Sequence, residues 1–300
     1  MGARIESACA RRARRGPLAP GALEISDAVA RDCLDRAQRL PGDLDLLVNA
    51  GLYKNKNMAE PALASIIQED IGANPGHPPR RDRHGTFSFD VMNGGCGVLT
   101  ALHLVDSFVG PGAAGLAMIV AADADPAHKT SRGFHFPPVG GALLLGHADD
   151  GEGFKRFEFH NFIEHIDLFE SRVSFEPENG AHGESVLEVR EDLRFAPLCI
   201  SLATEVTVAF LGRAGLRAAD VDLLIASAYP ARFAREVAQN LGIGPDRVPE
   251  LPPDLVSAHT AGPIATLATA MDTGMLARAR NVLFVTAGAG ITIAVAHYRR

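Results

Sequence analysis

A repeated pattern constrains this chain more than any single motif, so it is read first. Residues 43–50 read DLDLLVNA and residues 220–227 read DVDLLIAS. Each is a short apolar run entered from an acidic turn, the pattern of a strand buried on both faces. Each leads to a helical stretch that stops at glycine, 58–71 before Gly72 and 231–241 before Gly242. A second matched pair follows, AMIVAA at 117–122 and VLFVTA at 282–287. Small-residue turns and helices precede both, and further strands follow at 141–147 and 291–298. Alternating strands and helices predict mostly parallel sheets covered by helices. The expected organisation is an α/β chain with an N-terminal half over 1–150, a middle segment over 151–219 and a C-terminal half over 220–300, all in one compact unit.

The chain has 300 residues, enough for a sizeable core. A net charge of −7 argues against nucleic acid as the main partner, which calls for a basic face. The four cysteines, Cys9, Cys33, Cys96 and Cys199, form no CxxC pair, which argues against a disulfide framework or a zinc site. No run of roughly 18 apolar residues is apparent, so no membrane span is expected. The arginines at 11, 12, 14 and 15 have no apolar run behind them. They read as a frayed, solvated N-terminal arm rather than a secretory signal. A cytoplasmic location is the expectation.

The chemistry is concentrated at residues 89–109, FDVMNGGCGVLTALHLVDSFV. A strand over 87–91 runs into Asn93-Gly94-Gly95-Cys96-Gly97. An apolar helical face (Leu99, Leu102, Val105, Phe108) comes next. Cys96 would stand at a sharp strand-to-helix turn, with glycines allowing tight backbone geometry. A helix N-terminus favours thiolate, the nucleophilic form of cysteine.

With those residues in view, 43–125 and 220–298 resemble the ketoacyl-ACP synthase III branch of the thiolase superfamily. The elbow phrase, the strands DLDLLV and MIVAAD, and the phrase VDLLIASAYPARFAREVAQNLGI match in order. The resemblance implies a thiolase fold, a duplicated αβαβα five-layer sandwich. It also implies an acyl thioester on Cys96 and a homodimer, with a heterodimer as the other option. The branch pairs its cysteine with a His in Pro-His-Gln-Ala-Asn and an Asn in Gly-Asn-Thr. Alignment on the Leu-Gly at 241–242 puts Ser227 where that His belongs, either orienting a water or the substrate or merely filling space. His259, in Ser257-Ala258-His259-Thr260, falls at or near the Asn position, with Ser257 also in contention. His259 becomes the candidate base. The backbone N–H groups of Cys96 and of Ala289, in the turn Thr286-Ala287-Gly288-Ala289-Gly290, are the candidate oxyanion donors. The same turn also reads as a tight β-hairpin.

One imidazole suits simple acyl transfer better than decarboxylative condensation, which has more developing charge to stabilise. The expected activity is therefore acyl transfer in specialised metabolism, through Cys96, from an acyl carrier protein or CoA thioester to a small-molecule acceptor. A decarboxylative synthase III and a non-catalytic partner subunit are the alternatives. Phosphopantetheine or CoA would arrive as part of the substrate; no bound cofactor or metal is expected. The chain lacks tryptophan, on which the branch often stacks adenine, and this favours a carrier protein as donor. Arg80, Arg81, Arg83, Arg232 and Arg235 could dock that acidic partner. The family's N-terminal strand region is expected to be shortened or rebuilt.

Overall fold

The computed structural model describes residues 2–14, 16, 19–74, 85–127, 131–148, 151–176 and 183–300. The first half contains β1 (Ala3–Arg12), α1 (Ala22–Ala37), β2 (Leu46–Asn49), α2 (Leu63–Ile71), β3 (Phe87–Asp90), α3 (Gly97–Val109), β4 (Leu116–Asp123) and β5 (Val139–His147). These strands form one sheet in the order β1-β5-β4-β2-β3. Next come β6 (Gly153–Asn161), a separate hairpin of β7 (Phe169–Glu176) and β8 (Glu184–Glu191), and α4 (Phe195–Ala214). The chain continues with β9 (Leu223–Ala226), α5 (Phe233–Leu241), α6 (Gly262–Asp272), α7 (Met275–Arg278), β10 (Asn281–Gly288) and β11 (Thr292–Arg299). The second sheet has the order β6-β11-β10-β9.

The alternation of side chains along each strand builds the layers. In β2, Leu46 and Val48 face the middle of the molecule, while Leu47 faces outward onto Val29, Leu34, Leu63 and Ile67 of α1 and α2. In β10, Val282 and Phe284 face the middle; Leu283 and Val285 face α4 and α5. The middle layer is α3 and α6, whose Leu99, Leu102, Ile264 and Leu267 pack between the sheets. The sequence is thus helices, sheet, helices, sheet, helices: the αβαβα sandwich expected from the sequence. Both α2 and α5 end where expected, at Gly72 with φ +82° and Gly242 with φ +71°. Glycine enters that left-handed conformation at no steric cost.

Two expectations about the N-terminus are corrected. Of the arginines expected in a frayed arm, Arg11 and Arg12 lie in a strand, Arg15 lies outside the described residues, and the N-terminal strand is present. Residues Ala3–Arg12 form β1, paired antiparallel with β5 from Ala3 opposite His147 to Arg12 opposite Val139. Ala3, Ile5 and Ala8 supply its buried face, and such small, sparse apolar positions are masked in sequence by the arginines among them. The stretch 151–219 supplies β6, which pairs with β11 as β1 pairs with β5. Finally, α4 is a 20-residue helix long and apolar enough to cross a membrane by length and composition. In this fold Cys199, Ala203, Val206 and Phe210 of that helix lie on the second sheet.

Candidate active site

Cys96 sits where α3 starts, at the end of a short 3₁₀ turn over Gly94–Cys96. The turn is held by its own residues. The Cys96 N–H donates to the Asn93 carbonyl at 2.9 Å. The Asn93 amide donates to Thr100 Oγ1, and that hydroxyl donates to the Cys96 carbonyl, each at 3.0 Å. The glycines here answer to close backbone contacts. A Cβ on Gly95 would lie 2.2 Å from the Ala287 carbonyl oxygen, and one on Gly97 would lie 2.9 Å from the Ala50 carbonyl oxygen. The elbow of the first half is therefore wedged against β10 of the second.

The thiol faces that seam. Cys96 Sγ donates to the Thr292 carbonyl at 3.3 Å and accepts from Thr286 Oγ1 at 3.4 Å. Cys96 is wholly buried. Burial pushes its pKa up to about 12, with the Thr286 hydroxyl opposing. The thiolate expected from the helix N-terminus is therefore not the resting form, since desolvation outweighs the dipole.

His259 lies in a separate aromatic setting. Its Nδ1 is 3.0 Å from the Tyr53 hydroxyl. Its ring stacks on Phe136, with centroids 4.4 Å apart and planes 10° from parallel, and meets Tyr229 edge-on. Burial lowers its pKa to about 3, so the imidazole is neutral. The segment is hung on Asp123 at the end of β4. That carboxylate accepts the N–H groups of His259 at 2.8 Å, Thr260 at 2.9 Å and Ala261 at 3.2 Å, and the Thr260 hydroxyl at 2.6 Å. An anion at the start of α6 also suits the helix dipole. Beside the cage, Tyr229 donates to Glu191, and His135 Nε2 lies 3.2 Å from the Tyr229 hydroxyl. No hydrogen bond joins Cys96 to His259 among the described residues, because each is engaged by its own neighbours.

Ser227 is buried at the end of β9, where its Oγ accepts the Ala287 N–H at 3.3 Å. It thereby fixes the same residue whose carbonyl abuts Gly95. Ala289 is exposed in the β10–β11 turn, its nitrogen 3.8 Å from the place a Gly94 Cβ would occupy. The turn is a hairpin, with Gly288 opposite Thr292. The Cys96 N–H, named above as an oxyanion donor, is committed to Asn93 here. Arg232 and Arg235 are exposed and line a cavity of about 770 Å³. Its wall includes Ser227, Phe233, Val248 and Ser257; Cys96 and His259 do not line it. Arg80, Arg81 and Arg83 lie outside the described residues.

Tyr53, Asp123, Phe136 and Tyr229 were not anticipated from sequence. Asp123 alone carried a signal, an acid closing a strand of eight buried residues.

A family model described as 3-oxoacyl-[acyl-carrier-protein] synthase III C terminal matches residues 211–300. Along the whole chain, the beta-ketoacyl-[acyl-carrier-protein] synthase III of Thiobacillus denitrificans is 24% identical over 277 residues, covering 90% of this chain and 81% of its own. That of a Chelativorans species is 25% identical, covering 89% and 81%. The chain has the thiolase fold and is similar to the ketoacyl-ACP synthase III branch. Solved structures agree on the fold. The synthase III, FabH, from Pseudomonas aeruginosa superposes with a TM-score of 0.79 at 18% identity, over 100% of this chain and 98% of that one. An OleA structure from Xanthomonas campestris also gives 0.79, at 14% identity, over 100% and 99%.

Proposed function

We propose that this chain is a synthase III-like acyl-transfer enzyme working through a thioester on Cys96. The observation that carries the reading is the Cys96 elbow, a thiol at a helix start set between Thr286, Thr292 and Gly288 at the seam of the two halves. The sulfur attacks the carbonyl carbon of a carrier-bound thioester, and the phosphopantetheine thiol leaves with a proton. A small-molecule acceptor then attacks the acyl-Cys96 carbonyl. The relatives named synthase III support an acyl-carrier-protein thioester as donor. Arg232 and Arg235 at the mouth of the cavity suit an acidic carrier, and Ser227 and Ser257 on its wall suit a pantetheine arm. His259 remains the candidate base, with Tyr53 fixing one ring nitrogen. As the one imidazole among the candidate catalytic residues, it favours transfer over decarboxylative condensation. The reading includes a cytoplasmic homodimer in fatty acid, polyketide or other specialised biosynthesis.

Intact-mass spectrometry after exposure to acyl-carrier thioesters is the test. An adduct that disappears in Cys96→Ala supports the reading. Release of carbon dioxide from a malonyl thioester would move it to condensation. A second reading, a non-catalytic partner subunit, is favoured by the wholly buried thiol and the committed Cys96 N–H. No adduct with any donor would select it.

A further inference from the structure

β1 and α1 bring two cysteines together away from the candidate active site. Cys9 stands opposite Ala142 in the β1–β5 ladder. Cys33, within α1, donates its Sγ–H toward the Ala142 carbonyl at 3.5 Å. One position of the sheet therefore locates both: strand pairing sets Cys9 beside Ala142, and helix packing lays Cys33 over it. The two thiols lie close enough for each to influence the other's proton. Cys9 packs on the same apolar cluster as Cys33, Val29 and Ala30.

The pair is asymmetric. Cys33 is fully buried, whereas Cys9 is half-buried. Arg36, one turn beyond Cys33, donates to the Ala8 carbonyl at 3.4 Å and to Asp272 at 2.5 Å, which keeps its guanidinium beside Cys9. The hydrogen bond from Cys33, helped by Arg36, lowers Cys9 to about 7 despite desolvation. The same shared bond and burial push Cys33 well up. An acidic, reachable thiol packed in the same cluster as a protonated, buried one is the arrangement of an attacking and a resolving cysteine. Cys96 and Cys199 do not compete, since burial raises both.

We propose that Cys9 and Cys33 form a peroxide-reactive dithiol that closes to a disulfide between β1 and α1. The Cys9 thiolate attacks one oxygen of hydrogen peroxide. The O–O bond breaks, hydroxide leaves and takes up a proton as water, and Cys9 becomes a sulfenic acid. The Cys33 sulfur then displaces the hydroxyl, which departs with the Cys33 proton as a second water. Two thiols give up two electrons and two protons, and one peroxide becomes two waters. The two side chains start in one apolar cluster beside Ala142 and close to an S–S bond of about 2.05 Å.

The test exposes the folded full chain to a small excess of hydrogen peroxide and then blocks free thiols with iodoacetamide in denaturant. Unreduced peptides are mapped by mass spectrometry. The expected result is a Cys9–Cys33 cross-link lacking two hydrogens, formed at a rate independent of protein concentration. In Cys33→Ser, dimedone should trap the sulfenic acid on Cys9. Recovery of both wild-type cysteines as alkylated thiols would overturn the proposal. So would a Cys9 joined to a second chain, or one oxidised further without the cross-link. The wild-type map decides even where Cys33→Ser fails to fold.

Discussion

Gly95→Ala probes how tightly the two halves are pressed together at the elbow. The added Cβ would meet the Ala287 carbonyl oxygen at 2.2 Å. Ordinary carbon–oxygen contact needs more than 3 Å, so about 1 Å must open between the elbow and β10. Neither side yields easily. Ala287 is held from behind by the Ser227 hydroxyl through its N–H, and Cys96 is tied to Asn93 and Thr100. The obstruction is backbone, so no side chain can rotate away. Overpacking of this kind costs about 1–3 kcal/mol of stability. A displacement near 1 Å at a nucleophile can cost about 100-fold in rate. Urea denaturation would read the first effect, and the initial rate of acyl-Cys96 formation by intact mass the second. A variant with wild-type stability and wild-type acylation would refute the argument that the elbow is wedged on β10.

Other expectations follow from the same geometry. Asp123→Ala should destabilise the chain by about 3–5 kcal/mol in urea, since four buried donors lose their acceptor. A loss below 1 kcal/mol would show that the His259 segment does not depend on it. His259 has a folded pKa lowered from 6.5 to about 3, so the unfolded chain binds the proton first. Its contribution is present above about pH 6.5 and is lost as pH falls toward 3, by up to about 1.4 kcal/mol per pH unit. His259→Gln should remove that slope, and an unchanged pH profile would count against the assignment. In the native chain iodoacetamide should modify Cys9 well before Cys96, given pKa values of about 7 and about 12 and the burial of Cys96. Peptide mapping over time would show the order, and Cys96 reacting first would reverse the reading. Gly212→Ala on the exposed side of α4 meets nothing within 4 Å and should add about 0.5–1 kcal/mol of stability.

The fold was legible wherever one local signal determined one element. The four paired strands lie within three residues of their expected bounds, because continuous apolar runs can only be buried. The Cys96 elbow was legible because its glycines adjoin it in sequence. β1 was missed because its burial is carried by Ala3, Ile5 and Ala8 amid charged residues. The surroundings of His259 were not legible at all. Tyr53, Phe136 and Tyr229 come from three separate loops, and only the stacking of two sheets brings their rings together. The state of the thiol was misjudged for a related reason. The helix N-terminus is local and visible in sequence, whereas Thr286, Thr292 and the burial they complete belong to the other half.

The apolar character of α4 has a consequence for synthesis. Its buried face is completed by β10 and β11, which are translated well after it. At about 5–20 residues per second, the ribosome leaves this helix uncovered for several seconds. During that interval the nascent chain displays a segment that meets the length and composition of a membrane span. Targeting factors and chaperones therefore encounter a different molecule from the one that later folds. Glu205 and Arg213, which face solvent in the finished helix, are the charges that mark it during that exposure.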